Sequence, residues 1–393
     1  MRTLIISDLH LGSVSRADLL RRPELRAPLL EALAGVDRLV LLGDVLELRQ
    51  GPAREAMAAA RAFFEDLGRA LAGRELVITA GNHDHALVEP WLARRGEADE
   101  SPLAVEQLLD PAEVSPMLAR IAEWASPART LAAYPGLWVR PDVYATHGHY
   151  LDSHLTVPTL ERLSIAAMSR LLGRPAEDFH AVEDYEAVSA PVFAWRDAVA
   201  RDGRTGAALN GVATVGAWRA LTGDSPGGGR GRDGGARGGE GARRGALPSL
   251  ARRLRRRALV AAFPLAVRAL NRGGLGPLRA DISSGELRRA GLAAMGEVSA
   301  RLGLEDAHVV FGHTHRAGPL PGDHGHEWRG RGGARLVNAG SWTYAPVFLT
   351  PSPGESPYWP GTCVVVEDSG PPVLRRLLLD RSHAELRPPR PLT

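Results

Sequence analysis

The chain has 393 residues, 44% apolar and 24% charged, which suits a soluble globular protein able to bury one large core or two. Its formal net charge is only +3, every basic side chain is an arginine, and the heavy use of alanine and glycine reads as compositional bias. No apolar stretch approaches the ~20 residues of a membrane-spanning helix.

Thr3 to Ile6 reads as a strand that starts at once, which leaves no room for a signal peptide and predicts a cytoplasmic protein. It ends in Ser7-Asp8-Leu9-His10. A helical stretch, Ala17 to Leu33, leads to a second apolar run, Leu39 to Leu42, which ends in Gly43-Asp44. A second helix, Ala53 to Leu71, precedes the run Leu76 to Thr79 and then Gly81-Asn82-His83-Asp84. Val143 to Thr146 ends in His147-Gly148-His149. Such βαβ alternation predicts a mostly parallel, covered sheet with ligands gathered at the carboxyl ends of its strands.

From Leu151 to about Val298 the pattern offers helices but no convincing strand. Gly223 to Gly245 is dominated by glycine, arginine and small polar residues and predicts a flexible loop. Ser249 to Leu270 follows. It sets Leu250, Leu254, Ala258, Ala261 and Leu265 on one helical face and Arg252, Arg253, Arg255, Arg256 and Arg257 on the rest. A packed helix with solvated arginines is the first expectation, and peripheral membrane contact through 249–270 the second. The basic cluster lacks interleaved aromatics, and Trp195 and Trp218 stand far from it, which speaks against nucleic acid.

Strand-like runs resume at Ala307 to Phe311, just before Gly312-His313-Thr314-His315. They continue at Ala334 to Val337, Thr362 to Glu367 and Val373 to Leu379, consistent with a second sheet. Cys363, the only cysteine, allows no intrachain disulfide and sits in a run that predicts a buried strand. The division expected is a core in two parts, 1–150 and 297–393, interrupted by a helical cap insertion, 151–296, with a flexible loop at 223–245.

Each motif alone is weak, since an Asp-x-His at a strand end is commonly structural and a Gly-Asp pair is often a turn. Five in this order gather Asp, Asn and His at one sheet edge, as a two-metal hydrolytic centre needs. The donors lack thiolate, which favours manganese, with iron or zinc next, over copper or an iron–sulfur centre. A carboxylate has two oxygens and can hold ions roughly 3.5–4 Å apart, which suits Asp44 to a bridge.

Together with Asn338-Ala339-Gly340-Ser341, these motifs resemble those of the calcineurin-like metallophosphoesterases. The resemblance implies a four-layer α/β/β/α sandwich and two divalent metal ions. Asp8, His10 and His315 match the ligands of the first metal, Asp44 the bridge, and Asn82, His147 and His313 the second. His83 matches the histidine facing the leaving group, and Asp84 the acid that orients it. Asn338 to Ser341 matches a supporting turn. The implied reaction is hydrolysis of a phosphodiester, phosphomonoester or pyrophosphate by attack of a metal-bridging hydroxide. His149 is a candidate substrate contact. His324, His326, His85, His154 and His180 are expected on exposed loops. The Ser-Asp-Leu-His-Leu-Gly opening and Gly-Asp-Val-Leu-Glu are similar to the UDP-diacylglucosamine hydrolases, which implies a lipid-linked pyrophosphate as an alternative substrate. Those enzymes carry arginine where this chain has His83, a pattern shared instead with general phosphoesterases and nucleases.

Overall fold

The structure is a computed structural model that describes residues 1–98, 102–201, 262–350 and 352–388. Ten strands form one ladder: β1 Thr3–Ile6, β2 Arg38–Leu42, β3 Glu75–Thr79, β4 Glu106–Leu109, β5 Arg129–Arg140, β6 Val143–Thr146, β7 His308–Phe311, β8 Arg335–Asn338, β9 Thr362–Val366 and β10 Val373–Arg376. Their order is β10-β9-β1-β2-β3-β5-β6-β7-β8, with β4 also paired to β5. The pairs β1–β2, β2–β3, β3–β5, β6–β7 and β7–β8 are parallel.

The ladder folds over at β5. Arg129 to Ala133 pair with β3, whereas Gly136 to Arg140 pair with β6, and Pro135 stands between. Side chains on successive residues of a strand point to opposite faces, so three core clusters result. Ile5, Val40, Val77, Leu137, Val310, Val337 and Val364 meet in a shared inner core between the two halves. Leu4, Ile6, Leu39, Leu41, Leu76 and Ile78 pack outward against α1 (Pro23–Ala32), α2 (Ala53–Ala70) and other helices. Tyr144, Val309, Phe311 and Leu336 pack outward on the far side, under the helices between β6 and β7. Three interfaces mean four layers: the fold is the expected α/β/β/α sandwich.

Further helices are α3 (Glu89–Ala98), α4 (Pro111–Val114), α5 (Pro116–Trp124), α6 (Leu160–Leu172), α7 (Val182–Arg201), α8 (Ser284–Arg301) and α9 (His383–Leu386), and 262–272 is helical as well. The described part of the β6–β7 connection is helical, and Ile165, Tyr185, Val188 and Val192 join the outer core with Met295 of α8. The loop expected at 223–245 and the five arginines between 252 and 257 lie outside the described residues. None of the described helices is long and apolar enough to cross a membrane.

Three expectations need correction. The four C-terminal strands do not form one second sheet: β7 and β8 extend β6, while β9 pairs antiparallel with β1 and β10 antiparallel with β9. Apolar periodicity reports burial but not partners, so the split was invisible. The boundary at 296 falls inside α8, which runs unbroken over both sides of it. β5 went unrecognised because Pro135 and Gly136 interrupt its pattern where the sheet bends.

Candidate metal centre

Each motif begins within two or three residues of the carboxyl end of a strand: Asp8 after β1, Asp44 after β2, Asn82 after β3, His147 after β6 and His313 after β7. The chain turns sharply there. Asp8, His10, Asp44, His313 and His315 have φ of 57°, 46°, 49°, 65° and 58°, the left-handed region that costs a non-glycine residue on the order of 1 kcal/mol. Aspartate and histidine tolerate it better than most residues, and surrounding hydrogen bonds hold it: Leu9 and His10 donate to the Asp44 carbonyl at 2.9 and 2.8 Å. Gly43 and Gly81 are needed for approach, since a Cβ on either would strike the His147 ring.

Two clusters result. Asp8, His10 and His315 form one, and Asp44, His147 and His313 the other; His10, Asp44 and His83 converge as well. His10 Nε2 lies 3.6 Å, and His147 Nε2 3.4 Å, from the same atom, Asp44 Oδ2. The other oxygen, Oδ1, accepts the His83 backbone N–H at 2.7 Å. Asp44 therefore stands between the clusters as expected, but presents one oxygen to both rather than one to each.

Every imidazole in the two clusters has one nitrogen engaged and the other turned inward, the arrangement that fixes a ligand's tautomer. His10 Nδ1 lies 3.1 Å from Glu47 Oε2, His147 Nδ1 3.0 Å from the Leu42 carbonyl, and His313 Nε2 3.0 Å from Asp152 Oδ2. His315 Nδ1 is 3.3 Å from Thr343 Oγ1. The inward atoms suit a cation. His10 Nε2 and His315 Nε2 face each other at 3.1 Å, and Asp8 Oδ1, 3.2 Å from His315 Nε2, is buried without a hydrogen-bond donor. One atom of the Asn82 amide lies 3.1 Å from His147 Nε2 and 3.0 Å from His313 Nδ1; the other is 2.8 Å from Arg49 Nη1. Hydrogen bonding alone puts nitrogen toward the imidazoles and oxygen toward Arg49, whereas a cation draws the oxygen inward.

The electrostatics agree. Burial disfavours the Asp8 carboxylate, but His315 and His147 overcome it and hold its pKa down to about 2. Burial likewise opposes the imidazolium forms of His10 and His147. The Glu47 hydrogen bond and Asp44 charge at His10, and the Asp44 charge at His147, still raise both to about 9. Such a pocket demands positive charge, from protons or from metal. Its mixed oxygen and nitrogen donors fit divalent cations.

Residues 1–188 match the family model for calcineurin-like phosphoesterases. No curated protein matches the chain. The calcineurin-like phosphoesterase match and the Asp/His clusters fit a metal-dependent phosphoesterase, with side chains placed to hold divalent metal.

Among the remaining candidates, His83 lines a cavity of about 860 Å³ together with His10, Asp44, Asn82, His313 and His315. Its Nδ1 lies 3.0 Å from both oxygens of Glu47, and burial lowers its pKa. Asp84 was expected to orient that ring and does not. It accepts backbone N–H groups of Asp44, Val45, Leu46 and Gly81 at 3.2, 2.7, 3.1 and 2.7 Å, tying the second and third motifs together. Burial, then the Asp44 charge, pushes its pKa up to about 6. Buried Glu47 holds the His83 and His10 rings, buried Asp152 holds the His313 ring, and sequence reading missed both. Each lies within five residues of a motif, in Gly43-Asp44-Val45-Leu46-Glu47 and His147-Gly148-His149-Tyr150-Leu151-Asp152, and that was the available signal.

His149 is 2% exposed and is absent from the cavity wall, so the substrate contact expected of it is not present. It packs on Tyr150 and Phe193 instead. His85, expected on an exposed loop, is buried and reaches Glu186 Oε2 at 3.2 Å; His324, His326 and His180 are exposed as expected. Asn338 donates to the Gly312 carbonyl and to Thr314 Oγ1 at 3.0 and 2.9 Å, a supporting role without a ligand. Cys363 is buried in β9, which pushes its thiol up to about 12.

Proposed function

We propose that the protein hydrolyses a phosphodiester, phosphomonoester or pyrophosphate bond with two divalent cations, manganese first among them. The observation that carries this is the placement of Asp44 Oδ2 within 3.6 Å of an inward nitrogen from each cluster. Asp8, His10 and His315 would hold one cation, Asn82, His147 and His313 the other, and Asp44 both. When bound, the cations supply an activated water and the charge that steadies phosphate oxygens. His83 sits in the cavity wall with Nδ1 held by Glu47, so its other nitrogen is free to hydrogen-bond or protonate the departing oxygen. Asp84 keeps the Asp44 and Asn82 loops in register.

A second reading, a lipid-linked pyrophosphate, draws support from the rest of the cavity. Leu155, Leu160, Leu287, Leu292, Trp328 and Phe348 line it beside the polar centre, an apolar wall that a free nucleotide or sugar phosphate would leave unused. The described residues 151–201 and 262–296 would then act as its cap, acting at a membrane surface from the cytoplasmic side.

The test is a phosphoester panel run with Mn²⁺, Fe²⁺ and Zn²⁺, including bis-para-nitrophenyl phosphate, lipid-linked pyrophosphates and single-stranded DNA. Chelator-sensitive hydrolysis of bis-para-nitrophenyl phosphate is expected. Protein that holds metal but cleaves no ester of the panel would sink the enzyme reading.

A further inference from the structure

The described part of the β6–β7 connection places two buried carboxylates behind the second cluster. Asp152, near its start, engages His313 Nε2. Glu186, on α7, lies 8% exposed behind the third and fourth motifs. Its Oε1 accepts the hydroxyls of both Tyr134 and Tyr150, and its Oε2 lies 3.2 Å from His85 Nε2. His85 stands three residues beyond Asn82, and Tyr150 three beyond His147, while Tyr134 sits on β5, the strand between the two motif-bearing neighbours β3 and β6. One buried carboxylate thus pins the two loops that carry Asn82 and His147. Among the described residues nothing comparable reaches the first cluster, whose partners Glu47, Ser341 and Thr343 come from loops at strand ends.

We infer that Glu186 is a positioning residue for the ligands Asn82 and His147, so that the packing of α7 on the core sets the affinity for the second cation alone. The inference rests on the two-cation reading above. Physically, Glu186 removed without replacement leaves two buried hydroxyls and an imidazole unpaired, and the loops must shift to rewet or re-pair them. Ligand geometry tolerates little such movement, and loss of an outer partner of a metal ligand typically weakens the metal roughly 10- to 100-fold. The first cluster shares Asp44 but none of these anchors.

The test is a Mn²⁺ titration of metal-stripped full-length protein by calorimetry, with stoichiometry checked by elemental analysis. Wild type is expected to take two equivalents. Glu186→Leu should keep the first at wild-type affinity and weaken the second roughly 10- to 100-fold. Glu186→Gln, which retains an oxygen for a tyrosine, should recover most of that loss. Phe63→Ala, in the core on the opposite side of the sandwich, should lower stability without changing the ratio of the two affinities. If Glu186→Leu fails to fold, the double variant Tyr134→Phe, Tyr150→Phe removes both hydroxyl donors and should show the same selective loss. Equal weakening of both equivalents, or no change in either, overturns the inference while leaving the two-cation reading in place. Wild type that takes up no divalent cation overturns that reading instead.

Discussion

The two ligand clusters share Asp44 and differ in the side chains that back them. Asp8, His10 and His315 are backed by Glu47 and Thr343, residues that follow strand ends of the folded-over sheet. Asn82, His147 and His313 are backed by Asp152 and by Glu186, both from the long β6–β7 connection. The chemistry of the two is nearly the same, but their dependence on the rest of the molecule is not. A centre can therefore be complete in its motifs and still have one half conditional on a segment that carries no motif.

The largest expected effect abolishes the comparison. Asp44→Ala removes the one oxygen both clusters face, so both cations and turnover should go together. The loss should exceed about 10³-fold, since deleting a single charge-stabilising donor already costs 10²–10³. Metal analysis checks it: a variant that keeps one tight cation would show that Asp44 does not couple the clusters. His83→Ala comes next. Its ring is hydrogen-bonded to Glu47 rather than to an expected ligand, so both cations should stay while turnover falls roughly 10²–10⁴-fold. Loss of metal in this variant would make His83 a ligand instead.

Asp152→Ala sharpens the contrast. It deletes a charged partner 3.0 Å from His313 Nε2, and the second cation should weaken roughly 10- to 100-fold while the first holds. Thr343→Val is the matching change on the other side. It should do less to the first cation, because a neutral hydroxyl at 3.3 Å contributes less than a charged acceptor. Titration of both variants against wild type decides it, and a Thr343→Val loss larger than that of Asp152→Ala would reverse the assignment.

How much of this was legible follows the same division. β1, β2, β3, β6 and β7 and the motifs after them stand in contiguous sequence, where an apolar run ends in ligand-type residues, and all seven expected ligands meet in the fold. What stayed hidden depended on distance or geometry. Glu186 is one carboxylate among many on a helix, and nothing local distinguishes it from a solvated one; its three donors lie 36 to 101 residues away. The positive φ of Asp8 and Asp44 comes from the crossing of two loops, not from their residue types. The family resemblance implied that Asp84 orients His83, yet its carboxylate points to four backbone amides instead. β5 was lost at Pro135, the bend that makes two sheet halves from one ladder.

The gentlest effect is that of pH, and it bears on the comparison directly. Without metal, carboxylates raise His10 and His147 to about 9, against the opposing cost of burial, and Asp152 raises His313 against the same cost. A raised pKa means that the proton stays on below that pH, whereas a metal ligand must be neutral. Each cation therefore displaces protons, and affinity should rise with pH toward about 9 and fall as the solution is acidified, roughly tenfold per pH unit for each proton displaced. Of the three raised imidazoles, His10 lies in the first cluster and His147 and His313 in the second. The second cation should accordingly show the steeper slope and leave first as pH drops from 8 to 6. Mn²⁺ titrations in buffers of different ionisation heat would count the protons released at each step. Equal counts at both steps would mean that the charge on His313 does not follow its Asp152 contact, and that the two clusters are closer in character than their supports suggest.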